Sequence, residues 1–247
     1  RNQNITELLS KVCDVRIIWG GDKTIDELRS IKIPHKSTEI VFPDRYSLSI
    51  INSKSFNNLN SFKISKIAKN FFNDTYIVDQ NACSSPHLII WVGSNSNKNT
   101  EIFWSELSKI VKKNYNLTFS HSFEKYNNLL KNFANFRNVI SHKNYSNYLY
   151  RVSLNKINHD IVNFRGKYGL FFEYNAKDLK ILKKIVCRKI QTLTYFGFKK
   201  EDLINFTIKN KLTGIDRIVP IGTALDLGLT WDGYDIIRYL SREIEIN

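Results

Sequence analysis

Short β-rich apolar runs alternate along this chain with amphipathic stretches of helical spacing, and that alternation limits the fold more than any other feature. Asp14–Trp19 (DVRIIW) runs into Gly20-Gly21 and Asp22, and then into an amphipathic segment, Lys23–Ser30. The order read from it is strand, glycine turn and helix, with an aspartate near the helix N-cap. Glu39–Phe42 and Ser47–Ile51 read as strands, and Phe62–Phe72 has helical spacing. Leu88–Val92 (LIIWV) is a continuous apolar run, as in a strand buried on both faces. Thr100–Lys113, Phe123–Phe136, Lys177–Lys189 and Lys200–Asn210 read as helices; Leu170–Tyr174, Thr192–Phe196 and Arg217–Pro220 read as strands. Strands alternating with helices of this length predict an α/β fold with a parallel sheet. Residues 114–158 are polar, aromatic and without a clear period. Composition marks no sharp domain boundary; the best candidate lies near residue 80, where a strand–helix block ends in an unusual turn.

Charge and cysteine content narrow the class. The 247 residues are 42% hydrophobic and carry 37 basic against 23 acidic side chains, net +14. Such a surface suits nucleic acid or ligands with several phosphates. The lysines are scattered, and no zinc-finger spacing, RNP-type motif or Arg-rich helix accompanies them, so nucleic acid is not the expected partner. Three cysteines, an odd number, argue against a disulfide scaffold and for a reducing compartment such as the cytoplasm. No apolar stretch is long enough to span a bilayer. Residue 1 is Arg, Met is absent, and Ile5–Val12 reads as the middle of a domain, so a piece of a longer protein is expected.

The chemistry concentrates in the turn before the buried strand, Asp79-Gln80-Asn81-Ala82-Cys83-Ser84-Ser85-Pro86-His87. Small neighbours allow backbone and substrate to approach. A thiolate is the strongest nucleophile among side chains and forms thioesters with acyl groups. Turn N–H groups can stabilise the oxyanion that follows. Taken alone, a single cysteine is more often a small buried hydrophobe, and both readings stay open on the residues themselves. Cys13 and Cys187 lie in apolar-periodic stretches and read as structural. Gly20-Gly21 would let a cofactor approach the backbone, although the pair is not the dinucleotide fingerprint and a plain turn explains it equally. His87 could act as a base to Cys83 or point away into the strand. Glu39 could be a general base or a solvated side chain. The five histidines lack zinc-site context.

Three ordered blocks carry a resemblance. DVRIIWGG at Asp14–Gly21, YSLSII at Tyr46–Ile51 and DQNACSSP at Asp79–Pro86 resemble successive blocks of the LuxC-type long-chain acyl-CoA reductases, within the aldehyde dehydrogenase superfamily. Gln191-Thr192-Leu193, Arg217-Ile218-Val219 and Trp231-Asp232-Gly233-Tyr234 are similar to later family stretches. The resemblance implies an aldehyde-dehydrogenase-like fold. Residues 1–80 would be the C-terminal part of a Rossmann-like dinucleotide-binding domain, and 81–215 the catalytic domain. Residues 216–247 would return to the cofactor domain or to an oligomer interface. It implies that Cys83 attacks a long-chain acyl-CoA, or takes an acyl group from a partner enzyme. The resulting thioester would be reduced with NADPH to the fatty aldehyde.

The Cys83 N–H would be half of the oxyanion hole, with Gln80 and Ser84 beside it. Gly20, Gly21 and, by position, Asp160 would face the cofactor. A homo-oligomer is implied as well. The family's other oxyanion donor, an asparagine, would lie upstream of the region present. The superfamily's base sits in a Glu-Leu-Gly-Gly block, whereas Glu39-Ile40-Val41-Phe42-Pro43 lacks the glycines, which fits reduction better than oxidation. Alternatives are an acyl-transfer or acyl-binding module without a working cofactor site, and a basic nucleic-acid-binding protein.

Overall fold

The computed structural model describes residues 2–94, 97–135 and 138–246. The chain forms two compact units, Arg1–Asp44 with Leu227–Asn247, and Arg45–Asp226.

The smaller unit begins with helix α1 (Gln3–Val12), whose N-cap Asn2 accepts from the Ile5 N–H. Strand β1 (Val15–Trp19) leads through Gly20-Gly21 into α2 (Asp22–Arg29) and then to β2 (Thr38–Phe42), parallel to β1. Ile18, Ile25 and Ile40, one from each element, are buried together with the chain's turn back. The expected strand–glycine turn–helix order is therefore present.

The larger unit is built on one seven-stranded sheet. Strand β3 (Tyr46–Asn52) is followed by a short α3 (Ser53–Asn57), the long α4 (Ser61–Thr75) and β4 (Pro86–Val92). Next come α5 (Asn97–Asn114) and α6 (Phe119–Asn135), then β5 (Val139–Tyr145), β6 (Leu149–Leu154) and β7 (Leu170–Ala176). The helical turn α7 (Leu182–Ile185), β8 (Ile190–Phe196), α8 (Lys200–Lys209) and β9 (Arg217–Pro220) complete it. The strand order is β5-β6-β7-β4-β3-β8-β9, and only the β5–β6 pair is antiparallel. β4 is buried along its whole length because apolar layers cover both faces. Leu88, Ile90 and Val92 enter one core; Ile89 and Trp91 enter the other, with Phe56, Phe71 and Phe103. That two-sided burial is why LIIWV shows no alternation.

The chain then returns to the smaller unit through β10 (Thr230–Trp231), β11 (Tyr234–Asp235) and α9 (Ile236–Leu240). Asp232 and Gly233 both take positive φ in the two-residue turn between these strands, the geometry that favours Asp-Gly. The Tyr234 ring meets Phe42 edge-on at 5.9 Å, which fixes the returning segment to β2.

Three expectations are corrected. The break between units falls at Asp44/Arg45 rather than near residue 80, because β3 pairs with β4 and β8 whereas β2 pairs only with β1. Lys177–Lys189 is not one helix: Asp178 caps a 3₁₀ turn at Leu179–Ile181, α7 adds a single turn, and Val186 is extended. The Ile190 N–H then donates to the Cys187 carbonyl at 2.9 Å and turns the chain into β8. The helix expected over Phe123–Phe136 starts earlier, at Phe119, and is followed to Asn135; Phe136 lies outside the described residues.

One charge in this unit is held without a carboxylate. Lys125 of α6 is fully buried, and its Nζ donates to the carbonyls of Asn147 and, at 3.1 Å, Tyr168. Burial pushes its ammonium down to about 7. The folded state therefore binds fewer protons than the unfolded state from about pH 7 to the ordinary lysine range, so stability rises with pH across that window. We expect the melting temperature to rise between pH 7 and pH 9 by at least about 2 °C more in the wild type than in Lys125→Met. Identical pH dependence in the two proteins would refute the assignment.

Candidate active site

The turn that carries Cys83 is held by its neighbours on every side. Asp79 and Gln80 both adopt left-handed backbone, φ 56° and 59°. For side chains other than glycine this costs roughly 1–2 kcal/mol per residue. The surrounding bonds enforce it. The Asp79 N–H donates to Tyr76 at 3.2 Å, and the Gln80 N–H to Thr75 at 2.7 Å. The Asp79 carboxylate accepts from the Tyr115 hydroxyl at 2.6 Å. The Gln80 amide donates to the Pro86 and Leu170 carbonyls at 3.2 and 3.0 Å, and accepts from the Gly169 N–H at 3.1 Å. Gln80 is therefore a clamp joining the turn to β4 and β7. Its expected place beside the oxyanion is corrected: it is 1% exposed, and its amide is committed to three backbone groups.

Cys83 itself is half-buried. Two contacts come from the strands beside the turn. Ser47 Oγ donates to the Cys83 carbonyl at 2.6 Å, and the Thr192 N–H donates to the same Oγ at 3.1 Å. The register of β3 shifts at Ser47 against both neighbouring strands, which frees this hydroxyl from a regular place in the sheet. From β8, Gln191 Nε2 donates to Cys83 Sγ at 3.3 Å. Arg217 of β9 lies opposite Thr192 and donates to the Ala224 and Asp226 carbonyls at 2.8 and 2.7 Å; burial lowers its guanidinium, against the nearby charges of Asp226 and Cys83. Ser84 is buried beside Cys83, and Ser85 Oγ donates to the Asp74 carbonyl at 2.7 Å. The Asp74 carboxylate accepts from the N–H groups of Gly222 and Ala224 at 2.6 and 2.8 Å, while burial pushes it up to about 6.

The remaining candidates lie elsewhere or are otherwise engaged. His87 is buried; burial, with Arg165 nearby, pushes its imidazole down to about 3. A ring this weakly basic stays neutral and is a poor proton acceptor near neutrality, so the base role considered for it is set aside. Glu39, in the smaller unit, accepts from Arg16 Nε and Arg29 Nε at 2.7 Å each, and the two guanidiniums hold its carboxyl below the usual range despite burial. Gly20 and Gly21 also lie in the smaller unit, at the entry to α2. Neither has positive φ, and a Cβ at Gly21 would meet no atom within 4 Å, so conformation does not demand glycine there. Asp160 is exposed on the 3₁₀ turn His159–Asn163, where its N–H donates to the Asn158 side chain at 3.1 Å.

Ser47, Gln191 and Arg217 were missed as site residues in the sequence. The available signal was weak: each is a polar side chain in the first two positions of its strand, inside a stretch similar to the family. Among the described residues, no group of three or more His, Cys, Asp or Glu could hold a metal ion, and no helix is long and apolar enough to cross a membrane.

Relatives place this geometry in a family. The model of the acyl-CoA reductase (LuxC) family matches residues 1–243, and the chain belongs to that family. Among curated proteins, none matches the sequence. The fold is similar to that of aldehyde dehydrogenase 21 from Physcomitrella patens, solved in complex with the reaction product succinate. The TM-score is 0.59 at 9% identity, covering 94% of this chain and 50% of that one. An oxidoreductase from Marinobacter aquaeolei matches with TM-score 0.59 and 9% identity, over 92% and 49% of the two chains. An NAD-dependent benzaldehyde dehydrogenase from Corynebacterium glutamicum matches with TM-score 0.53 and 9% identity, over 88% and 48%. The fold is thus aldehyde-dehydrogenase-like, α/β with a mostly parallel sheet. The chain spans about half the length of these structures.

The clamp gives a direct test. Gln80→Leu removes the partner of two buried carbonyls and one N–H, so a loss of about 2–3 kcal/mol is expected from urea unfolding. An unchanged midpoint would contradict the role given to Gln80.

Proposed function

We propose that this chain carries the thioester-forming centre of a fatty acyl reductase, with Cys83 as the nucleophile. The observation that carries this reading is the Cys83 turn: a half-buried thiol on a strained, fully braced loop, in a chain of the acyl-CoA reductase family. The substrate class is a long-chain acyl-CoA, or an acyl group handed over by an acyl-activating or acyl-transferring partner enzyme. A homo-oligomer is the proposed assembly.

The Cys83 thiolate attacks the carbonyl carbon of the acyl-CoA. A new C–S bond forms, and the negative charge passes to the carbonyl oxygen. The Cys83 backbone N–H serves one side of that oxyanion. Collapse breaks the bond to coenzyme A, which leaves as a thiolate and takes a proton from water, and the acyl group stays on Sγ. The scattered basic surface, net +14, suits a substrate that carries phosphates. When bound, a reduced nicotinamide cofactor, NADPH in this proposal, supplies the hydride that takes the acyl group to the aldehyde level. Gly20 and Gly21 fit such a group. Open space faces Gly21, and no side chain caps the N-terminus of α2 behind it. Asp160 is retained as a cofactor contact by position only.

Glu39 supports reduction over oxidation. Oxidising an aldehyde requires a base that activates water for release of the acid. The two arginines hold Glu39 as a carboxylate of lowered basicity.

The experiment is the intact mass of the chain after mixing with a long-chain acyl-CoA and no cofactor. One acyl adduct is expected, removed by hydroxylamine and absent in Cys83→Ala. A folded chain that gains no adduct, or one that still gains it in Cys83→Ala, would overturn the proposal.

A further inference from the structure

We infer that Gln191 is a positioning residue for Cys83: its side-chain amide holds the sulfur in place and favours the thiolate before the acyl group arrives. The inference rests on the reading of Cys83 as the nucleophile. It names a residue which that reading does not itself supply.

The geometry aims the Gln191 amide at Cys83. The residue is fully buried at the start of β8. Its Oε1 accepts from the Thr192 hydroxyl at 3.3 Å. Its Nε2 then faces Cys83 Sγ at 3.3 Å. The next residue holds the other end of the cysteine: the Thr192 N–H donates to Ser47 Oγ, which donates to the Cys83 carbonyl. Two consecutive residues of β8 therefore grip Cys83 at the sulfur and at the backbone. On β9 the partner of Thr192 is Arg217.

A thiol is a weak hydrogen-bond acceptor and a thiolate a strong one, so an amide aimed at sulfur stabilises the charged form more than the neutral form. A hydrogen bond to a charged group in a half-buried site shifts the titration of that group by about one pH unit. Packing alone would not favour the thiolate, because burial without a donor raises a thiol's titration.

The test follows the iodoacetamide alkylation rate of Cys83 against pH by peptide mass spectrometry, in the wild type, Gln191→Leu and Gln191→Glu. Cys13 and Cys187 in the same samples act as references. Gln191→Leu should raise the Cys83 midpoint by about one pH unit. Gln191→Glu keeps the shape, replaces the donor with a carboxylate, and should raise the midpoint at least as far. The reference cysteines should keep theirs. If Gln191→Leu does not fold, the unbranched Gln191→Met, which also removes the donor without adding a charge, decides in its place. An unchanged Cys83 midpoint in the folded variants overturns the inference. Failure of the functional reading looks different: the midpoints shift, but the wild type takes no acyl group.

Discussion

The larger unit depends on one side-chain amide. Gln80 ties the left-handed turn Asp79–Gln80 to the first residue of β4 and to the start of β7. Without those three bonds, two buried carbonyls and a buried N–H would lose their partners, and the turn would lose part of what holds it in backbone that ordinary side chains avoid. With them, the residues after Gln80 emerge beside the starts of β3 and β8, where Ser47 and Gln191 meet Cys83. The strain of the turn and the position of the thiol thus have one cause.

A similar logic explains one more buried polar group. Glu173 of β7 sits inside the aromatic core and accepts from Trp91, Trp104, Arg151 and Ser153 at 2.6–3.2 Å. Four donors satisfy one carboxylate, so its burial fixes β4, α5, β6 and β7 relative to one another. Lys125 is the counterexample, a cation held by two carbonyls and the Tyr150 ring face with no carboxylate, and burial opposes its charge. Neither network touches the chemistry directly. Both hold the strands from whose ends the Cys83 turn is hung.

Much of this was legible in the sequence where one physical signal dominated. LIIWV marked β4 because both of its faces are covered. DVRIIWGGD marked a strand, turn and helix because the glycine pair separates two clear periods. Small residues around Cys83 marked a turn, and one is there. Other features were hidden. β5 is an edge strand whose middle, Ser141–Asn144, is exposed and polar, so it carries no alternation to read. Only three residues separate β2 from β3, and such a short link reads as continuity although the two strands join different sheets. The break within Lys177–Lys189 comes from a turn that must meet β8, which tertiary pairing imposes and periodicity does not show. Gln80 read as a neighbour of the nucleophile because its sequence position is close, while its amide points into the core.

The central claim is that the fold, and not exposure, makes Cys83 reactive. All three cysteines are half-buried, so access alone predicts similar behaviour. Cys13 Sγ points to the Ser10 carbonyl, and Cys187 packs against the apolar core, whereas Cys83 has an amide donor and a guanidinium at hand. The decisive measurement is the alkylation rate of each thiol at neutral pH in the folded wild-type chain, resolved by peptide. Cys83 is expected to react at least about tenfold faster than the other two, the effect of roughly one unit of thiolate stabilisation. Equal rates, or a slower Cys83, would contradict the account.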